Sequence, residues 1–356
     1  MPDTERRTTL ATVAASAGVS VATVSKVLNG RSDVAPATRA RVKELLRTHD
    51  YAGHLVGLER RPTVELTLQG QLLAYSAEVI QGVSTAAAQL GAAVTVSVLP
   101  RQRPRPSRTS AARWARDLAA NGRRAVIAVT EELSEEEITA LRVVGLPLVV
   151  IDPVNLPSEV PSVGATNFRG GLEAARHLLG LGHRRIAYLG GPAAAECNQA
   201  RLQGFLAAMA AVAEEVPGEY ILSSVDFCYE EGVVGGSRLL DLPTRPTAIF
   251  AGNDELAAGV LEAARGRGIL VPQELSVVGF DDTQVARIAS PPLTTVRQPL
   301  QDMGAVAIRT ALMLAADEKI DSQHVELATK LVIRSSTAPL RDRSDRATRP
   351  SRRRAS

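Results

Sequence analysis

The sequence predicts two architectures in series: an N-terminal all-α headpiece, then an α/β core of two doubly wound parallel-sheet lobes. Three observations carry this expectation. Residues 8–50 place their apolar side chains at helical spacing and contain no strand-like run. From Val64 onward, short apolar runs alternate with amphipathic stretches, the β-α-β-α order of parallel sheets covered by helices. That series occurs twice, so two similar lobes with a cleft between them follow.

The elements read in order as follows. Leu10, Val13, Ala14 and Ala17 form a first helical stripe ending at Gly18, and Val24, Val27 and Leu28 form a second ending at Asn29-Gly30. A third helix follows Pro36, with Val42, Leu45 and Leu46 on one face. Residues 51–63 are a connector, interrupted by Gly53, Gly57 and Pro62. Strands are expected in a first series at VELTL, AVTVSVL, AVIAVT and LPLVVID and in a second at VGATN, RIAYLGG, YILSSVD, AIFAGN and LSVVGFDD, with a helical stretch between successive strands of each series. These readings divide the chain into a helical domain (1–50), a linker (51–63), a core (64–340) and an Arg-rich tail without periodicity (341–356), expected to be disordered. Within the core, the first lobe is expected at about 64–165 plus 295–320, and the second at about 166–294 plus 321–340.

The chain has 356 residues and a net charge of +3, but the charge is unevenly spread. Residues 1–61 carry +4 and residues 341–356 carry +5, which leaves the body at −6. A basic head on an acidic body fits a polyanionic partner at one end. Two cysteines, Cys197 and Cys228, lack metal or redox spacing, and the N-terminus lacks the apolar run of a signal peptide. The expectation is a reduced, cytoplasmic protein. No stretch approaches the ~18 apolar residues of a membrane span, so no membrane partner is expected. No cofactor, metal site or catalytic residue is expected either.

The segment LATVAASAGVSVATVSKVLNG (10–30) carries the strongest local signal. Ala14 and Ala17 permit close helix packing, Gly18 supplies a left-handed turn, and Ser20 can cap the second helix. Val21, Ala22, Ser25 and Lys26 then face outward, with the helix's positive end exposed to any phosphate backbone. This is a helix-turn-helix, whose second helix enters the major groove. The whole pattern closely resembles the headpiece of the LacI/GalR repressor family, and VAPATRARVKELLRTHDY resembles that family's third helix and closing Tyr51. The resemblance implies base-edge contacts at Val21, Ala22 and Lys26. The first two could make only apolar contacts, whereas Lys26 could reach guanine or a phosphate. It implies backbone-positioning roles for Thr9, Ser20, Thr23, Ser25, Asn29 and Thr38. It also implies a minor-groove wedge, Leu58 by order or else Leu55. The hinge departs from the family, because Gly53 and His54 stand where the family has Pro-Asn and the stretch before the first core strand is shorter.

Beyond the headpiece, VIDP (150–153), GHRRIAYLGGP (182–192), ARLQGF (200–205), AGNDELAAGVLEA (251–263), LSVVGFDDT (275–283) and PPLTTVRQP (291–299) extend the resemblance to about Pro339. It implies a periplasmic-binding-protein-like core with effector-binding residues Tyr75, Asp152, Arg201, Phe227, Asn253 and Asp281. Two carboxylates with one Arg favour a neutral polyol, a mono- or oligosaccharide, over a multiply charged anion. Other roles are open to several of these residues. Asn253, Asp281, Asp282 and Asp254 could cap helices, Arg201 could join the lobes, and Phe227 and Trp114 could be core. The implied protein is a homodimeric repressor of a pseudo-palindromic operator, controlled by that effector. The tail has no apolar heptads, so no tetramerising coil is expected. A solute-binding protein fits the cleft but not the helix-turn-helix. A nucleotide enzyme would need a phosphate loop, and LGGP (189–192) has neither common glycine pattern.

Overall fold

The computed structural model describes residues 10–28, 34–48, 61–100, 106–154 and 156–340. Thr9, Asn29, Tyr51, Leu55, Leu58, most of the connector and the Arg-rich tail lie outside the described residues. The chain divides into two compact units, 1–61 and 62–356.

The first unit contains α1 (Leu10–Ala17), α2 (Val21–Leu28) and α3 (Pro36–Thr48). Val13, Ala14, Ala17, Val24, Val27, Val34, Val42 and Leu46 are buried together as its core, matching the stripes in the sequence. Gly18 takes φ +62°. Its N–H donates to the Ala15 carbonyl and that of Val19 to Ala14, which closes α1. The turn between α1 and α2 therefore depends on a residue without a Cβ.

Among the described residues, the second unit holds two six-stranded sheets. The first lobe runs β1 (Thr63–Gln69), α4 (Ala74–Gln89), β2 (Ala93–Leu99), α5 (Arg108–Ala120), β3 (Arg123–Val129), α6 (Glu135–Val143), β4 (Leu148–Ile151) and β5 (Ser162–Ala165). The second runs α7 (Asn167–Gly180), β6 (Ile186–Gly190), α8 (Glu196–Ala210), β7 (Ile221–Ser223), α9 (Tyr229–Leu240), β8 (Ala248–Ala251), α10 (Asp254–Gly266), β9 (Ser276–Asp281), α11 (Gln284–Ile288) and β10 (Thr294–Arg297). The chain then returns to the first lobe with α12 (Leu300–Ala315) and β11 (His324–Leu327), and finally to the second with β12 (Lys330–Val332). Strand orders are β11-β5-β4-β3-β1-β2 and β12-β10-β9-β8-β6-β7. Central strands such as AVIAV and SVVGFD are buried on both faces, so they read as continuous apolar runs rather than alternations.

One expectation is corrected here. The lobe boundaries shift, because β10 pairs in parallel with β9 and so belongs to the second sheet, while β11 pairs with β5 and belongs to the first. The chain therefore crosses between lobes near residues 166, 298 and 328. The sheets are the parallel ones expected, apart from the edge strand β12, which runs antiparallel to β10. These strands of three or four residues carry too little periodicity to be placed from sequence.

Helices α7 and α8 cross backbone to backbone. A Cβ on Gly171 would collide with the Arg201 carbonyl, and one on Gly204 with the Phe168 carbonyl. This close crossing sets the depth at which α8 carries Arg201. Gly204→Ala should therefore cost roughly 1–3 kcal/mol by overpacking, read from denaturant unfolding. Unchanged stability would show that the two helices can separate freely.

Candidate functional site

In α2 the Ser20 hydroxyl accepts from the Thr23 N–H at 3.1 Å and lies 2.9 Å from the Thr23 hydroxyl, which caps the helix start as its sequence suggests. Val21 is 47% exposed, and Ala22 and Lys26 are also exposed, while Val24 and Val27 point into the core. Ser25, Thr23 and Thr38 are half-buried. The helix thus offers one outward face at its N-terminal end, held on three-helix packing.

In the second unit a cavity of about 910 Å³ opens between the lobes. Strand order reverses beside β1 and β3 in one lobe and beside β6 and β8 in the other, and the cavity lies beyond the carboxyl ends of those strands. Tyr75, Asp152, Arg201, Phe227, Asn253 and Asp281 all line it. The first two come from the first lobe and the other four from the second: Asp152 and Phe227 lie on loops after strands, Tyr75 and Asn253 at helix starts, Asp281 at the end of β9, and Arg201 in the second turn of α8.

The floor is a buried polar network. Arg201 Nε donates to Asn167 Oδ1 at 2.8 Å and its NH1 to the Gly252 carbonyl at 2.7 Å. Its guanidinium lies 3.9 Å from the Phe280 ring centroid and 3.9 Å from an Asp281 oxygen. Phe280 continues through Phe250 to Tyr188 and Phe205, a cluster of tilted, edge-to-face and stacked rings in the second-lobe core beneath the cation. Tyr75 donates its hydroxyl to Asp152 Oδ2 at 2.6 Å. Gln298, on the crossover from β10 to α12, donates to Asp281 Oδ1 at 2.7 Å.

Burial dominates the ionisation of this floor. Asp152 is pushed above the usual carboxylate range by burial, against the opposing pull of Arg201 and the Tyr75 hydroxyl. Asp281 is pushed up to about 7 by burial, which the Arg201 charge and the Gln298 donor only partly offset. The Cys197 thiol, also at the cavity, is raised to about 12 by burial and is not a thiolate nucleophile. Thr130, Asp152 and Asp281 hold φ values of +49°, +47° and +107°, unusual for residues with a Cβ. All three line the cavity, and such backbone persists only where the surroundings over-determine it.

Several readings resolve on this geometry. Asn253 caps α10, accepting from the Leu256 N–H at 2.9 Å, and its amide N–H donates to the Phe227 carbonyl at 3.0 Å. It therefore fixes the Phe227 loop as well as lining the cavity. Asp254 is fully buried and accepts from Thr283 N–H, Thr283 Oγ1 and Thr295 Oγ1, a structural partner. Asp282 is a buried ion-pair partner of Arg297 and Arg334, at 2.6 and 2.5 Å, rather than a cap. His183 bonds Thr247, Ser276 and the Ala338 carbonyl, and His177 bonds Thr337, so both anchor the segment after β12. Trp114 is half-buried against the first-lobe core. Sequence reasoning missed Glu132, Asp226 and Cys197 in the cavity wall. Only the positions of Glu132 and Asp226 shortly after strands, and of Cys197 in the first turn of α8, could have flagged them.

Comparison with known proteins supplies the lineage. Residues 9–53 match the family described as "Bacterial regulatory proteins, lacI family", and residues 175–337 match "Periplasmic binding protein-like domain". The chain is 33% identical over 343 residues to the HTH-type transcriptional regulator DegA of Bacillus subtilis, covering 94% of this chain and 99% of that protein. Among solved structures it is similar to the transcriptional regulator CelR in complex with cellobiose, with TM-score 0.70, 32% identity, and 92% and 99% of the two chains covered. It is likewise similar to a lac repressor dimer bound to operator and the anti-inducer ONPF, with TM-score 0.71, 26% identity, and 94% and 100% covered. The chain belongs to the lacI family of bacterial regulatory proteins.

Proposed function

We propose that this family member is a homodimeric repressor that reads a pseudo-palindromic operator through α2 and is controlled by a neutral mono- or oligosaccharide bound between the lobes. The observation that carries the effector reading is the charge balance of the cavity. Arg201 is its sole cationic lining residue among those described, and that guanidinium is already engaged by Asn167, Gly252 and Asp281. Asp152, Asp281, Asp226, Glu132, Glu135 and Glu136 line the same space. An anionic ligand would meet repulsion there, whereas a polyol supplies hydroxyl donors to carboxylates and an apolar face to Phe227 and Tyr75. The volume lies in the upper part of the ~300–1,000 Å³ range of small-molecule sites, roomy enough for more than one ring. The cellobiose held by the similar CelR fits this class.

For the operator, Val21 and Ala22 would pack on thymine methyls and Lys26 would reach guanine, with Ser20, Thr23, Ser25 and Thr38 on the backbone. Thr9, Asn29 and Leu58 complete the proposed set. A dimer would place two copies of α2 about one helical turn apart, and effector binding would bias their spacing by a coupling of typically ~1–3 kcal/mol.

A thermal-shift screen of neutral mono- and disaccharides, including cellobiose and ribose, tests the effector. A binder at a hundred times its Kd should stabilise the fold by about 2.7 kcal/mol and change operator occupancy in a gel shift. Stabilisation by sugar phosphates alone would reverse the charge argument. Lys26→Ala should cost about 1–3 kcal/mol of operator affinity and relax preference at one base pair. Equal weakening on every sequence would make Lys26 a phosphate contact.

The ionisation of Asp281 gives a further prediction. Its folded pKa of about 7 lies above the ~3.9 of an unfolded aspartate. Its contribution to stability is therefore fully present below about pH 4 and is lost as pH rises toward 7. The stability of wild type relative to Asp281→Asn should fall as pH is raised from about 5 to about 8. A constant or widening difference in denaturant unfolding would show that Asp281 ionises normally. A hydroxyl donating to this carboxylate prefers its charged form, so sugar affinity should increase over the same rise.

A further inference from the structure

Helix α4 begins at the cavity rim without a cap of its own. Its N-cap residue Leu73 is extended and offers no side-chain acceptor, although the first turn of any helix leaves backbone N–H groups unpaired. The missing acceptor comes from the other lobe. Glu255, in the first turn of α10, accepts from the Ala74 N–H through Oε1 at 3.3 Å. A carboxylate there meets both an orphan donor and the positive end of the α4 dipole.

A second contact repeats the device elsewhere between the lobes. Glu196, in the first turn of α8, accepts from the Leu156 N–H through Oε1 at 3.4 Å, and Leu156 lies in the first-lobe loop between β4 and β5. Both carboxylates leave the second lobe from a helix start, and both end on a first-lobe backbone amide. A longer ion pair, Arg287 to Glu78 at 3.9 Å, lies alongside the first. None of these groups lines the cavity, although the Glu255 charge is felt at Asp281.

We infer that Glu255 and Glu196 form a two-point latch that holds the lobes together across the cleft before any effector arrives. They are positioning residues and do not bind the effector. Their consequence is on population: a ligand that needs both lobes meets a cavity already assembled, so its apparent affinity is not reduced by the fraction of open molecules. The latch is independent of the effector's identity.

Hydrogen exchange of the full-length, ligand-free protein tests this through reciprocity. In Glu255→Ala, amides 74–77 should exchange faster, and so should the segment around Leu156, which Glu255 does not touch. In Glu196→Ala, the segment around Leu156 should exchange faster, and so should amides 74–77. The distant effect should be roughly two- to fivefold, the factor that corresponds to a helix-end charge. Glu255→Gln keeps an acceptor and the side-chain volume while removing the charge, so it should fall between wild type and Ala and covers the case in which Ala disturbs folding. Faster exchange confined to the segment facing each missing carboxylate would reduce both residues to local caps and overturn the latch, as would unchanged exchange in all three variants.

Discussion

Arg201 lies with its guanidinium stacked on Phe280, donating to Asn167 and the Gly252 carbonyl and adjoining Asp281. Its charge also acts on Asp152 from the opposite lobe. The surrounding carboxylates are buried, and an isolated buried charge is costly unless it is paired and hydrogen-bonded. One cation thus makes it tolerable to bring acids from two lobes to one floor. Even so the compensation is incomplete, which is why Asp281 sits near neutrality in its ionisation rather than in the usual carboxylate range.

The backbone is arranged to deliver that cation and its partners. Gly171 and Gly204 let α7 and α8 cross closely enough to set Arg201 deep, and α7 opens with Asn167 at the first crossover between lobes. The other crossovers join the same network. Gln298 binds Asp281 from the second, and Thr329 at the third bonds reciprocally with Thr166 at the first. The polar floor and the connections about which the lobes would move are therefore hydrogen-bonded to one another. A ligand that displaces the floor has a short physical route to the hinge. This is the arrangement that a regulator needs if a small molecule is to shift the balance between two lobe arrangements.

Much of this was legible in advance, and the limits have physical causes. Long helices such as α7 and α10 show their periodicity over many residues and β9 shows as a continuous apolar run, so two lobes and a helical head could be read directly. Gly18 and Ser20 announced the turn because only particular residue types suit a left-handed corner and a helix cap. The six cavity residues came from resemblance, and their convergence needed the fold. Asp254 and Asp282 stand beside cavity residues in the chain yet serve the core. Which carboxylate faces the cavity depends on φ at single positions, as at Asp281 and Asp282, and no periodicity encodes that. In the sequence alone nothing distinguishes Glu255 and Glu196 from any other acid in a first helical turn. Only the placement of the opposite lobe shows that their partners are amides far away in sequence.

The dependence of the floor on one cation can be measured by a double-mutant cycle of Arg201→Met and Asp281→Asn in denaturant unfolding. It should be run near pH 8, where Asp281 is ionised. Removing the Arg201 charge alone should be strongly destabilising, because it leaves an ionised buried carboxylate unpaired, and the double variant should be less damaged than the sum of the two single variants by about 1–3 kcal/mol. Additivity within about 0.5 kcal/mol would mean that the two groups do not support each other, and the charge-balanced cleft described here would be wrong.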